Sequence, residues 1–330
     1  MSSFRRPLLA TIVAGTALTA LAGCGLQPAT AYVPPVGPGS IEELDLPDDA
    51  SITITSKNFT EQLILGKIAV IAASAAGFEV EDLTNVPGSV PVRELMLSGD
   101  ADMTWEYTGT AWLTFLAEEE GIPDQQEQYE AVRDADAENG LTWLPTAPLN
   151  NTYAMAVRTE AVEELDGVAT LSDVAALPVE DRTFCVEPEF NSRADGMSPM
   201  LEAYDLERGS DDGVPESNIG IFDTGAVYTA TDRGTCNFGE VFTTDGRIDQ
   251  LDLTVLEDDR GFFPAYNVAA VLATETLEEY PELEQVFGQI SPEITDETLR
   301  ELNLRVDSAG EEPADVALDF MLDRGFVTEP

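Results

Sequence analysis

Histidine is absent from all 330 residues. With it go Ser-His and Cys-His nucleophilic catalysis, an imidazole general base and a histidine metal centre. Lysine occurs only as Lys57 and Lys67, and neither is followed by Ser or Thr. The Gly-Lys-Ser/Thr ending of a phosphate-gripping loop is therefore missing, and the chain is not its own ATPase. Basic charge of any kind is scarce: 16 Lys and Arg against 63 Asp and Glu give a formal net charge of −47. Such a chain is repelled by a phosphate backbone or an anionic membrane surface, so nucleic-acid binding is set aside. Most of the acidic residues read as a solvated surface of the kind found in proteins exposed to fluctuating salt. Against that background a lysine in a conspicuous position stands out.

Long hydrophobic runs are also missing. The apolar stretch from Pro7 to Ala22, behind Arg5 and Arg6, is too short and too rich in small residues for a comfortable membrane span, and reads as an export signal. It ends Leu21-Ala22-Gly23-Cys24, which resembles the lipobox of bacterial lipoproteins. The resemblance implies removal of residues 1–23, acylation of Cys24 and anchoring on the outer face of the cytoplasmic membrane. The mature chain then keeps 14 basic residues against 63 acidic ones, a charge of −49. Residues 24–50, with Pro28, Pro34, Pro35, Pro38 and Pro47 and little hydrophobic periodicity, are expected to form a flexible tether reaching roughly 30 Å. With Cys24 lipidated, Cys185 and Cys236 remain in an oxidising compartment. They are expected to be bridged, the alternative being two buried free thiols.

The body alternates strands and helices. Ser51–Thr55 reads as a strand; Leu63, Ile64, Ile68, Ile71 and Ala75 then recur at helical spacing up to Gly77. Further strands are expected at 78–85, 101–105, 153–157, 183–186, 219–222, 240–243 and 267–272. Helices are expected at 90–98, 110–119, 275–279, 283–290, 296–306 and 313–324. The alternation predicts a mostly parallel α/β architecture in two lobes with a helical tail, and ligand sites at the carboxyl ends of strands.

Three polar loops, at Lys57, at Thr108-Gly109-Thr110 and at Asn191-Ser192-Arg193, stand ahead of helices, where free N–H groups and the dipole favour a carboxylate. Capping plus surface charge is the commoner meaning of any one such loop. Tyr107, Tyr153 and Tyr266 fall at strand-to-loop junctions, while Trp105, Phe262 and Phe263 are candidates for the core. Aromatic faces are the usual means of holding a quaternary ammonium, which has no N–H to donate.

Six ordered blocks, ITITSKNFTEQLILG, LMLSGDADMTWEYTGTA, NNTYAMAV, FNSRADGM, FTTDGRI and LEDDRGFFPAYN, span essentially Ser51 to Pro330. Together they resemble the glycine betaine/choline/carnitine-binding proteins of osmoprotectant ABC transporters. The resemblance implies an α/β, two-lobe type II periplasmic-binding-protein fold, with residues 51–149 plus 265–330 as one lobe and 150–264 as the other. It also implies closure on a ligand, then docking on a separate permease whose ATPase is another chain. Residue by residue it implies that Lys57, Thr110 and Arg193 hold a ligand carboxylate. Tyr107, Tyr153, Phe242 and Tyr266 would form an aromatic cage, with Asn151 offering an oxygen near the ammonium. Phe242 departs from the pattern, since a tyrosine is common there; the ring face is kept and the hydroxyl lost.

The expected function is capture of a betaine by a monomeric receptor, with no bond made and no cofactor or metal called for. Two facing cations, Lys57 and Arg193, would be poorly paired by the hydroxyl of choline, which favours a carboxylate-bearing ligand. A choline or amino-acid receptor is the nearer alternative. A structural lipoprotein, or a hydrolase using the acid pairs Glu187 and Glu189 or Asp258 and Asp259, is the remoter one.

Overall fold

A computed structural model of the chain describes residues 34–122 and 124–330. The export signal, Cys24 and the first part of the tether lie outside the described residues. Twelve strands occur among the described residues: β1 Gly37–Pro38, β2 Ser51–Lys57, β3 Glu79–Val86, β4 Met103–Tyr107, β5 Leu141–Trp143, β6 Tyr153–Arg158, β7 Phe184–Val186, β8 Ile219–Ile221, β9 Phe238–Phe242, β10 Leu253–Val255, β11 Val268–Ala273 and β12 Val327–Thr328. They form two five-stranded sheets, ordered β3-β2-β4-β11-β5 and β10-β6-β9-β7-β8, and a small β1-β12 pair.

Each sheet is mixed. β2 runs parallel to β3 and β4, and β7 parallel to β8 and β9. Pairings at β11 (with β4 and β5) and at β6 (with β9 and β10) are antiparallel. These two antiparallel strands are the first the chain enters after each passage between lobes. The parallel character expected from the alternation thus accounts for half of the pairings. The passages run side by side: Asn150 and Asn267 form an isolated antiparallel bridge, Tyr266 N–H donates to Asn150 Oδ1 at 2.7 Å, and Asn267 Nδ2 donates to the Leu149 carbonyl at 3.0 Å.

The helix Thr60–Ala75 is apolar on nearly every side, and Ile64, Leu65, Ile68, Ala69, Val70 and Ile71 are all buried. A helix of that kind needs cover on both faces. It has β2 and β3 on one side and the helix Pro313–Asp323 of the tail on the other. Cys185 in β7 and Cys236, just beyond the helix Thr224–Asp232, are bonded, with S–S 2.01 Å and Cα–Cα 5.6 Å.

Three local expectations change. The tether expected over 24–50 is packed in its described second half: Gly37–Pro38 pairs with Val327–Thr328, Ile41 and Ala50 are buried, and Leu44 and Leu46 pack on the same core. Apolar side chains at these positions find a surface, and burial holds the segment down. The helix expected over 110–119 begins at Thr108, continues as a π-helix over Ala111–Phe115, and stops before Ala117, whose φ of 56° cannot continue it. Asn191 and Ser192 are not loop residues but close a short helix of their own, Pro188–Ser192, while the helix expected near Pro199 does follow, over Met197–Ala203. The helix Gln125–Asp136 and strands β5 and β10 complete the lobes.

Candidate functional site in the cleft between the lobes

The carboxyl ends of β2, β4, β7 and β9 face one cleft, because the parallel strands of both sheets end there. Lys57 closes β2 and Tyr107 closes β4; Phe242 closes β9, opposite Tyr153 at the start of the antiparallel β6. Thr110 sits in the turn after β4, and Arg193 directly follows the helix Pro188–Ser192. Asn151 and Tyr266 come from the two passages between lobes. All eight of these residues line the cleft, which encloses about 480 Å³ between its atoms, part of it open to solvent. A Cβ at Gly109 would lie 2.6 Å from Tyr266 Cδ1, so only glycine lets that ring pack against the Thr108–Thr110 turn.

The rings form a connected cluster. Tyr153 and Phe242 have centroids 5.2 Å apart, and Tyr266 stands edge-on to Tyr153 at 5.7 Å. Phe59, which the sequence analysis did not single out, stacks on Phe242 at 5.1 Å and lies 6.2 Å from Tyr107. Trp105 is core, as expected; Phe262 and Phe263 are half-buried against the core outside the cleft, although Phe263 reaches within 6.3 Å of Tyr153.

Neither basic side chain waits unpaired for a ligand. Lys57 Nζ donates to Glu106 Oε1 at 2.6 Å and lies 4.9 Å from the Tyr107 centroid. Arg193 donates from Nε to Asp195 Oδ1 at 2.6 Å and from Nη2 to Asp195 Oδ2 at 2.5 Å, and its Nη1 reaches Glu189 Oε1 at 3.2 Å. Its guanidinium lies over the Tyr153 ring at 5.5 Å. Choline's hydroxyl would thus not leave these two cations as poorly paired as expected, because both are already paired inside the protein, where a bare buried charge would be costly.

The second lobe adds carboxylates to the wall. Glu187 accepts from Thr224 Oγ1 at 2.6 Å, and the Glu187 backbone N–H donates to Glu240 Oε2 at 2.9 Å. Burial raises the Glu187 carboxyl above the usual glutamate range. Burial, reinforced by the charge of Glu187, pushes Glu240 well above it. Glu189 goes the other way: burial opposes its charge, but Lys57, Ser89 and Arg193 together outweigh burial and hold its carboxyl below the ordinary value. The acids weighed as hydrolase candidates are otherwise engaged at 258 and 259, where Asp258 accepts from Tyr204 and from the Phe262 and Phe263 N–H groups, and Asp259 from Ser172.

Residues 50–323 match the family described as the substrate binding domain of ABC-type glycine betaine transport system. The chain belongs to this family. As a member it is the substrate-binding protein of an ABC-type transport system, with a type II periplasmic-binding-protein fold. It is similar to a glycine-betaine-binding protein of Pseudomonas aeruginosa, 37% identical over 82% of this chain and 87% of that one. It is also 29% identical to the carnitine transport binding protein OpuCC of Listeria monocytogenes, over 82% of this chain and 86% of the relative. Among solved structures, a glycine betaine/carnitine/choline ABC transporter protein superposes with a TM-score of 0.67 at 25% identity, over 83% of this chain and 99% of that one.

For a substrate-binding protein the contacts that matter are those joining the lobes, and these sequence reasoning missed. Glu189 of the second lobe accepts from the backbone N–H and the hydroxyl of Ser89 in the first. Ser89 opens the helix Ser89–Ser98, whose free N–H groups favour an anion. Glu61 is another junction, accepting from Tyr107 and Asn303 on one side of the cleft and Thr244 on the other. Glu61 lay in plain view within the SKNFTEQ block; Ser89 and Glu189 are 100 residues apart, and only the closed pair of lobes brings them together.

Proposed function

We propose that this chain is a lipid-anchored, extracytoplasmic receptor of an ABC importer that captures glycine betaine or a related betaine between two closing lobes. It then hands the solute to a membrane permease powered by a separate ATPase. One observation carries this reading: four rings, two cations, a threonine and an asparagine, scattered from 57 to 266 in sequence, line a single cleft. The quaternary head fits among Tyr107, Tyr153, Phe242 and Tyr266, each face contributing roughly 0.5–2 kcal/mol. The carboxylate end fits the donors of Lys57, Thr110 and Arg193. Lysine has three donors and an arginine fork five, so pairing with Glu106 and Asp195 leaves capacity for a ligand oxygen.

Residues 51–149 with 265–330 would move as one body and 150–264 as the other, hinged at the paired passages near Asn150 and Asn267. Because Lys57, Tyr107 and Thr110 sit on one body and Tyr153, Arg193 and Phe242 on the other, only closure completes the site, and ligand stabilises the closed state through the second set. Anchoring through Cys24, on a tether ending ahead of β1, would hold this monomer near its permease.

Choline is the second reading, and the internal pairing favours it: Glu106 and Asp195 already pair the two cations, and Glu187 and Glu189 stand in the lining beside them. Calorimetric titration with glycine betaine, choline and carnitine separates them. One-to-one binding with betaine tighter than choline supports the proposal; choline tighter than both carboxylate-bearing solutes reverses it.

A further inference from the structure

Glu61 lies fully buried where four segments meet. Its Oε1 accepts from Tyr107 Oη at 2.7 Å and from Asn151 Nδ2 at 2.9 Å; its Oε2 accepts from Thr244 Oγ1 at 2.6 Å and from Asn303 Nδ2 at 3.3 Å. Tyr107 belongs to the first lobe, Asn151 to a passage between lobes, Thr244 to the segment beyond β9 in the second lobe, and Asn303 to the helix Asp296–Asp307. Burial raises the Glu61 carboxyl pKa while the four hydrogen bonds oppose the rise.

A carboxylate only accepts, whereas an amide donates from one end and accepts at the other. Glu61 therefore dictates which end of Asn151 it meets. The NH₂ group is committed to Glu61, and Oδ1 is the end left over. That oxygen is buried and has no hydrogen-bond partner among the described residues. Asn151 stands in the wall of the cleft with Tyr107, Tyr153 and Phe242. An amide turned the other way would set its positive end among the rings that receive a cation.

We propose that Glu61 is a positioning residue for the cationic head of the solute: by taking Asn151 Nδ2 it leaves Oδ1 as the free, negative end of the amide beside the aromatic cluster. The C–H groups of a trimethylammonium head carry part of its charge and make weak contacts to such an oxygen. Thr244 adds a second consequence. Its bond to the same carboxylate comes from the opposite lobe, so the arrangement is complete only in the closed form. This inference rests on the betaine reading of the cleft.

The test is a double-mutant cycle by calorimetry on the full chain with glycine betaine, using Glu61→Ala, Asn151→Ala, the double variant and Glu61→Gln. Water filling the space left by Glu61→Ala donates as readily as it accepts, so the Asn151 amide loses its fixed sense. Should Glu61→Ala not fold, as judged by circular dichroism, Glu61→Met takes its place. The expected result is a loss of roughly 10-fold or more in affinity for either single alanine variant, a double variant within about 3-fold of Asn151→Ala alone, and a loss of roughly 3-fold or more in Glu61→Gln, whose amide donates as well as accepts and so no longer dictates which end of Asn151 it meets. Multiplicative losses in the double variant, or no loss in Glu61→Ala, overturn the inference while leaving the solute assignment standing. No binding of glycine betaine by the parent overturns the solute assignment, and this inference with it.

Discussion

An oxygen of Glu189, in the second lobe, lies 3.2 Å from the backbone N–H of Ser89, at the start of a helix in the first. The Ser89 hydroxyl donates to the other oxygen, and Arg193 Nη1 holds that oxygen from behind. This contact exists only while the lobes are together, so it stabilises the form that retains ligand. Replacing Glu189 by glutamine removes the charge that favours the helix N-terminus and both cations. Betaine affinity is expected to fall about 5-fold, the worth of roughly 1 kcal/mol in a charge-assisted hydrogen bond. Ser89→Ala, which keeps the N–H, is expected to lose less. Unchanged or tighter binding by Glu189→Gln would show that the carboxylate competes with the solute instead of closing over it.

Phe242 stands between Phe59 and Tyr153, with centroids 5.1 and 5.2 Å away. Its contribution is the ring face, so Phe242→Tyr should bind betaine within about 3-fold of the parent and Phe242→Ala should lose about 3- to 30-fold. Titration of both variants checks this. A larger loss for tyrosine than for alanine would mean that no room exists beside the ring for a hydroxyl, and that Phe242 shapes the cleft by volume.

Glu240 is buried, and its carboxyl is pushed well above the glutamate range, first by burial and then by Glu187. A raised folded-state pKa means that the folded protein binds the proton more tightly than the unfolded chain does. Stability from this group is therefore fully present below the unfolded value of about 4.3 and declines as pH rises through the folded value. Glu240→Gln, which cannot ionise but still accepts from the Glu187 N–H, should raise the melting temperature at pH 7.5, and the gain should shrink towards zero near pH 4. Melting curves of the two proteins across that interval decide it; a gain independent of pH contradicts the assignment.

The eight cleft residues were legible through the six ordered blocks that carry the resemblance; seven lie at or within a few residues of a strand end, and Arg193 follows a short helix. Pairing was not legible. Lys57 with Glu106, Arg193 with Asp195 and Glu189 with Ser89 depend on which side chains meet when strands are laid side by side and lobes close. The helix Gln125–Asp136 escaped notice because Tyr129 and Val132 are nearly its whole apolar face, although Asp124 caps it through the Gln126 and Glu127 N–H groups. β5 and β10, three residues each, are too short to show alternation. Proline content suggested a free segment up to residue 50, while Ile41, Leu44 and Leu46, apolar and spaced along it, were the sign that its second half packs.

The central claim is that this cleft takes the carboxylate of a betaine on Arg193 and its ammonium among the rings. Calorimetric titration of the parent and of Arg193→Ala with glycine betaine and with choline tests it most directly. Choline should weaken only a few-fold, through the loss of the guanidinium that rests on Tyr153. Betaine should weaken by roughly 30-fold or more, the worth of about 2 kcal/mol in hydrogen bonds between charged groups. Equal losses for the two solutes would contradict the account.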